Sequence, residues 1–142
     1  MKKLFATLAL IITLTTGAFA GNENVKPEVL DAFNNQFATA QDVAWEAENN
    51  YYKVTFSYND EILFAFYTTE GECMGITRYI VSTELPQKLK DSLKKKYADY
   101  WIADLFKVVN EEGTSYYITL QNANNKIVLE SANQSNWKPF RI

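Results

Sequence analysis

Residues 51–56, YYKVTF, and residues 116–120, YYITL, are two versions of one aromatic pattern. In the first version apolar side chains alternate with polar ones, which is typical of a half-buried β-strand. An amphipathic segment precedes each version, one beginning at Pro27 and the other at Pro86. This repeated order predicts a scaffold built from two copies of one structural unit.

Both amphipathic segments predict a helix with one apolar face. Their apolar residues recur at helical spacing, and polar residues lie between them. These residues are Val29, Leu30, Phe33 and Phe37 in the first segment, and Leu89, Leu93 and Tyr97 in the second.

Four strands are predicted after each helix. They cover residues 42–48, 52–58, 62–67 and 73–81 in the first copy, and 102–110, 115–120, 126–131 and 137–142 in the second. The connection over residues 82–86 is too short for an interdomain linker, and a unit of about 60 residues has a marginal core of its own. We therefore expect a single α+β domain over residues 21–142. In it, two tandem helix-plus-antiparallel-strand repeats, about 27–81 and 86–142, form one continuous sheet with both helices on one face.

Residues 1–20 have the pattern of a signal peptide. Lys2 and Lys3 precede an apolar run over residues 4–14, and Ala18-Phe19-Ala20 matches a cleavage site before Gly21. The run is shorter than the roughly 20 residues that span a bilayer. We expect an exported chain, periplasmic or secreted, with no transmembrane segment after cleavage.

Composition argues against several classes of function. From residue 21 onward the chain has 12 basic and 17 acidic residues, which disfavours nucleic-acid binding. The chain has no histidine, so it lacks the commonest general base and metal ligand, and its single cysteine, Cys73, excludes an intrachain disulfide. We predict no catalytic site, no metal site and no cofactor, and therefore no enzyme.

Alternation along the strands indicates which side chains point away from the face of the sheet that the helices cover. We infer that Ile62, Phe64 and Phe66 face the helices, as their strand neighbours Tyr52, Val54 and Phe56 do. Leu63, Ala65 and Tyr67 would then point outward, where tyrosine suits protein recognition. This predicts Leu63 and Tyr67 as partner-binding residues.

Charge is distributed unevenly along the chain. Residues 21–81 contain 3 basic and 10 acidic side chains, whereas residues 82–142 contain 9 and 7. The second helix has five lysines and only Asp91 opposes them. They form either an ordinary solvated face or a docking face for an acidic partner or an anionic envelope surface. Lys88, Lys94 and Lys95 are therefore further partner-binding candidates.

Several spacings together resemble the PepSY-like family of exported Bacteroidetes proteins, which is similar to β-lactamase inhibitor protein. The matching residues are Val43-x-Trp45-Glu46, Tyr52-x-Val54-x-Phe56, Phe66-Tyr67 with Gly71, and Leu85-Pro86 with Leu89 and Leu93. The resemblance implies tandem repeats of a helix on antiparallel strands, and binding or inhibition of a peptidase or other enzyme through the sheet. The chain departs from this pattern in two places: Asn133-Gln134 replaces an expected glycine turn, and no disulfide is possible.

Together these features predict an exported, non-enzymatic binding module whose open sheet face engages an envelope or extracellular protein, inhibitor-like in its action. The alternative is an envelope protein that is structural or that sequesters a small apolar ligand. The sequence does not specify the oligomeric state.

Overall fold

A computed structural model describes residues 21–141 of the chain. The predicted signal peptide lies outside the described residues. The described residues form two units, unit 1 (residues 21–77) and unit 2 (residues 78–141).

Unit 1 begins with a 3-10 turn over Asn22–Asn24, which leads into helix α1. Pro27 occupies the first helical position, where its missing N–H is not needed. The helix and the strands that follow are α1 (Pro27–Gln36), β1 (Gln41–Ala47), β2 (Tyr51–Tyr58), β3 (Glu61–Thr68) and β4 (Cys73–Tyr79), and β4 ends in unit 2.

Unit 2 has the same order of elements. A 3-10 turn over Ser82–Glu84 is closed by Glu84, whose carboxylate accepts a hydrogen bond from the Val81 N–H at 3.1 Å. Pro86 precedes the second helix as its N-cap, one position earlier than Pro27 in α1. The elements that follow are α2 (Gln87–Lys96), β5 (Trp101–Asn110), β6 (Gly113–Gln121), β7 (Lys126–Ser131) and β8 (Lys138–Pro139).

The strands form an open antiparallel sheet in the order β1 to β8. The predicted α+β class with antiparallel strands is therefore confirmed. Each first strand carries an irregularity at the same place, between Gln41 and Ala44 in β1 and between Ile102 and Asp104 in β5. A bulge of this kind bends the strand and increases its twist.

Aromatic side chains form the core of unit 1. Phe33 of α1 is 2 % exposed, and its ring lies 5.3 Å from Trp45, 4.9 Å from Phe56 and 6.4 Å from Tyr67. The three contacts are edge-on, a favourable arrangement for aromatic rings. The other buried members are Val25, Val29, Phe37, Tyr52, Val54 and Ala65.

Aliphatic side chains dominate the core of unit 2. Leu89 of α2 is fully buried against β5, β6 and β7. The buried members are Ile80, Leu85, Leu89, Leu105, Tyr116, Ile118, Leu120 and Leu129. The Trp137 indole N–H donates a 3.1 Å hydrogen bond to the Leu89 carbonyl, which attaches the chain before β8 to the helix.

The predicted orientation of β3 is wrong. Tyr67 and Ala65 are fully buried in the core under α1, and Leu63 packs against that core. The reason lies in the β2–β3 register, in which Val54 pairs with Ala65 and Tyr52 with Tyr67. Cross-strand partners lie on the same face of a sheet. It follows that Ile62, Phe64 and Phe66 lie on the opposite side.

Candidate protein-binding face

Each unit has a sheet face opposite its own helix, which we call its helix-free face. In unit 2 the register assigns residues to this face directly. Leu105 pairs with Ile118 in the core, so the neighbouring pairs Phe106–Tyr117 and Asp104–Thr119 lie on the other side. Glu130 of β7 pairs with Tyr117 and therefore lies on the same side as Phe106 and Tyr117.

A stack of aromatic rings forms the centre of the helix-free face of unit 2. The Phe106 and Tyr117 rings are nearly parallel, 5.3 Å apart with an interplanar angle of 11°. Phe140 meets Tyr117 edge-on at 5.5 Å, and Tyr79 meets Phe106 edge-on at 6.4 Å. Phe106 and Tyr117 are 6 % and 5 % exposed, so these rings are held firmly in place.

Two large aromatic side chains on this face are exposed. Tyr79 is 49 % exposed and Trp101 is 54 % exposed. Trp101 pairs with Gln121, two residues along β6 from Thr119, and therefore belongs to the same face. The face thus presents tyrosine and tryptophan to solvent, with Tyr79 in contact with the buried stack.

A cleft of about 380 Å³ lies between the residues that end β4 and the bulge of β5. Residues 79–82 line one side and residues 102–105 the other. The Ile80 N–H still donates to the Leu105 carbonyl at 3.0 Å, so a backbone hydrogen bond joins the two sides. Val81 and Ile102 are 63 % and 41 % exposed, which gives the cleft apolar walls.

Burial and carboxylates raise the pKa of two tyrosines on this face. Desolvation, followed by the charge and hydrogen bonding of Glu130, raises the pKa of Tyr117 to about 12. Desolvation and then the charge of Asp104 raise the pKa of Tyr79 above its usual value. Both phenols therefore stay protonated at neutral pH and act as neutral hydrogen-bonding groups.

The helix-free face of unit 1 is built around an ion pair. The Lys53 ammonium group lies 3.1 Å from the Glu46 carboxylate and 5.5 Å from the centroid of the Phe64 ring. Phe66 is 1 % exposed, and the ring of Tyr51 lies 6.3 Å from it. Partial burial, and then the charges of Glu48 and Glu46, raise the pKa of Tyr51.

The predicted partner-binding residues fall into two groups, one in each unit. Leu63 and Tyr67 belong to the unit 1 core, where the Tyr67 hydroxyl donates a 2.9 Å hydrogen bond to the Gln36 side chain. Lys88, Lys94 and Lys95 are exposed on α2 of unit 2. Their role in binding stays a prediction.

Sequence reasoning missed Tyr79, Trp101 and the Phe106–Tyr117 stack. A usable signal was present in the turns. Asn59-Asp60 is a two-residue turn flanked by the pair Tyr58–Glu61, and such a turn fixes which residues face each other along both strands. Counting outward from Asn110–Gly113 in the same way pairs Phe106 with Tyr117.

Two further properties concern residues 21–141. No group of three or more His, Cys, Asp or Glu side chains in this range is arranged to hold a metal ion. None of the helices described there has the length and apolar character needed to cross a bilayer.

Comparison with known proteins gives a likeness of fold. No family model matches the chain, and no curated protein matches it. Among solved structures, a DUF2874 family protein from Bacteroides uniformis superposes with a TM-score of 0.73 at 15% identity, covering 80% of this chain and 86% of that one.

Two other crystal structures are similar to the same extent. A "putative periplasmic" protein from Bacteroides eggerthii gives a TM-score of 0.71 at 16% identity, covering 81% of this chain and 88% of that one. A BLIP-like protein from Bacteroides fragilis gives a TM-score of 0.70 at 16% identity, covering 81% of this chain and 86% of that one. At these identities the likeness establishes the fold and not the activity.

Proposed function

We propose that this chain is an exported, non-enzymatic binding module that engages an envelope or extracellular protein through the helix-free face of unit 2. One observation carries the proposal: Tyr79 and Trp101 are about half exposed on one face of the sheet, and Tyr79 contacts a buried aromatic stack there. Tyrosine and tryptophan are the residues most enriched at energetic centres of protein interfaces.

Contact with the stack gives Tyr79 a physical advantage in binding. A side chain that is already ordered loses less conformational entropy when a partner arrives. Tyr79 is held by its edge contact with Phe106, and Phe106 is held by Tyr117. The adjacent cleft, lined by residues 79–82 and 102–105, has room for an apolar side chain of the partner.

Other features support the non-enzymatic and exported parts of the proposal. The sequence contains no histidine, and its leader has the signal-peptide pattern. Two structural neighbours, one described as periplasmic and one as BLIP-like, support an inhibitor-like binding module outside the cytoplasm. They also agree with the resemblance to PepSY-like proteins, which suggests a peptidase or another enzyme as the partner.

We also propose that the two units are diverged copies of one ancestral unit. Backbone hydrogen bonds recur 60 residues apart: Phe37 N–H to Phe33 carbonyl matches Tyr97 to Leu93, and Ala40 to Phe37 matches Tyr100 to Tyr97. The two helices are both ten residues long. The bulges of β1 and β5 follow at matching positions.

The test is a comparison of two double variants. Immobilised residues 21–142 are incubated with an envelope extract, and recovered proteins are then purified and their affinities measured. Tyr79→Ala combined with Trp101→Ala removes the exposed aromatic pair. Loss of two interface anchors should weaken binding roughly 1,000-fold, since each anchor contributes about 2 kcal/mol.

Val43→Ala combined with Val109→Ala is the matched control. These residues are also partly exposed, at 39 % and 41 %, but neither belongs to the helix-free face of unit 2. Partner affinity is expected to be unchanged in the control. Equal loss in both variants, or repeated recovery of no partner by the unmodified chain, contradicts the proposal. Activity assays of the recovered enzyme, with and without the chain, then test inhibition.

A second function is favoured by the cleft itself. Its volume of about 380 Å³ falls in the range of small-molecule sites, and Val81 and Ile102 give it apolar walls. Sequestration of a small apolar ligand predicts a bound molecule in native mass spectra of protein purified from its own envelope. Detection of only ligand-free protein would remove this candidate.

A further inference from the structure

Helix α2 carries a cationic surface that the helix-free face does not use. Its ten residues contain five lysines, one aspartate and no arginine. Lys88, Lys94, Lys95 and Lys96 are exposed, and Lys90 is half-buried. Leu89 points into the core, so the helix surface away from the sheet is the basic one.

The lysines are not neutralised within the structure. None of their ammonium groups forms an ion pair or hydrogen bond with another residue in the range 21–141. The one acidic residue of the helix, Asp91, accepts a 2.8 Å hydrogen bond from the neutral amide of Gln87. The charge of the surface is therefore available to an external anion.

Helix stability alone does not explain this charge. Lysines in the last turn, Lys94 to Lys96, interact favourably with the negative end of the helix dipole. Lys88 and Lys90 lie near the opposite end, where a positive charge is unfavourable. Lys90 and Lys94 are also four residues apart, a spacing at which like charges destabilise a helix.

We propose that α2 docks this protein onto an anionic phospholipid surface. Lysine is a compact, strongly hydrated charge that suits the diffuse field of a charged bilayer, whereas directional recognition of carboxylates favours the planar fork of arginine. Attraction to the bilayer acts locally, because acidic residues farther away than about 10 Å are screened by salt. Within unit 2 the helix and the helix-free face are on opposite sides of the sheet, so docking leaves that face accessible.

The experiment measures partitioning of residues 21–142 onto vesicles by sedimentation at low and physiological salt. One set of vesicles contains phosphatidylglycerol with phosphatidylcholine, and the other contains phosphatidylcholine alone. The variant is Lys88→Gln, Lys94→Gln and Lys95→Gln together. The matched control is Lys26→Gln, Lys126→Gln and Lys138→Gln, which changes the net charge equally at exposed sites elsewhere.

We expect salt-sensitive binding to the anionic vesicles only, weakened roughly 100-fold by the α2 variant, or roughly fivefold per lysine. The control variant should lose far less. Circular dichroism checks that the helix remains folded. Equal binding to neutral vesicles, equal losses in the two variants, or no binding at low salt would overturn the proposal. Retention of the chain on immobilised polyglutamate without binding to vesicles would overturn it in favour of an acidic protein.

Discussion

Units 1 and 2 use the same order of elements but fill the space beneath their helices with different side chains, mainly aromatic in unit 1 and mainly aliphatic in unit 2. In unit 1, Phe33, Trp45, Phe56 and Tyr67 meet beneath α1. In unit 2 the positions that correspond to Phe33 and Trp45, sixty residues later, are Leu93 and Leu105. The large rings of unit 2 stack instead on its helix-free face.

This difference separates a structural use of aromatic residues from a surface use. Rings that meet under a helix contribute burial and edge contacts to stability. On the helix-free face of unit 2, buried Phe106 contacts Tyr79, and Tyr79 and Trp101 are exposed enough for another molecule to reach. The charge of the helices differs as well, since α1 contains Glu28 and Asp31 and no basic residue, while α2 contains five lysines.

The largest expected effect is on the aromatic core of unit 1. Phe33→Ala removes a ring that contacts Trp45, Phe56 and Tyr67, and should cost about 4 kcal/mol of unfolding free energy. Leu93→Ala, the matched change at a partly buried site in unit 2, should cost about 2 kcal/mol. Urea unfolding followed by tryptophan fluorescence and circular dichroism measures both unfolding free energies. Equal costs would mean that the two cores do not differ as described.

A smaller effect is expected at the turn that contacts α1. Gly71 has φ +91°, and a Cβ there would lie 2.9 Å from the Glu28 carbonyl oxygen. Gly71→Ala therefore combines backbone strain with a clash against the backbone of α1. We expect it to lower the unfolding free energy by about 3 kcal/mol. Gly113→Ala introduces the strain alone, because Gly113 has φ +121° and no atom lies within 4 Å of the added Cβ. It should lower the unfolding free energy by about 1 kcal/mol. Thermal unfolding of both variants isolates the contribution of the close approach; equal losses would exclude it.

The smallest effect concerns pH and the stack of unit 2. The pKa of Tyr117 is about 12 in the folded chain and about 10 when unfolded, so folding favours the protonated phenol. This contribution to the unfolding free energy is present below pH 10. About 2 kcal/mol of it is lost as the pH rises to 12. Tyr117→Phe should remove that component, measured as the unfolding free energy at pH 9 and pH 11.5. Glu130→Gln should retain most of it, because burial is the larger cause. An identical pH dependence in Tyr117→Phe and the unmodified chain would contradict the assignment.

Turn residues and periodicity were enough to predict the elements. The helix at Pro27 and the strand over 126–131 were predicted within one residue of their observed ends. Strand β3 shows where this reasoning fails. Residues 62–67 are apolar at every position, so alternation does not indicate which side faces the helix, and Tyr67 was assigned to the wrong face. The predicted partner-binding role of Leu63 and Tyr67 rested on that assignment, whereas Tyr67 is buried in the core and Leu63 packs against it.

What the sequence determined by itself is the order of helices and strands, the α+β class and the lysine-rich character of the second helix. These properties depend on local patterns: the spacing of apolar residues, the turns and the charge of neighbouring side chains. Tertiary structure alone decided which rings became core and which became surface. Pairing of Val54 with Ala65, and of Phe106 with Tyr117, is a contact between strands. A shift of one residue in such a pairing exchanges the two faces of a strand, so the register decides which side chains lie on the helix-free face.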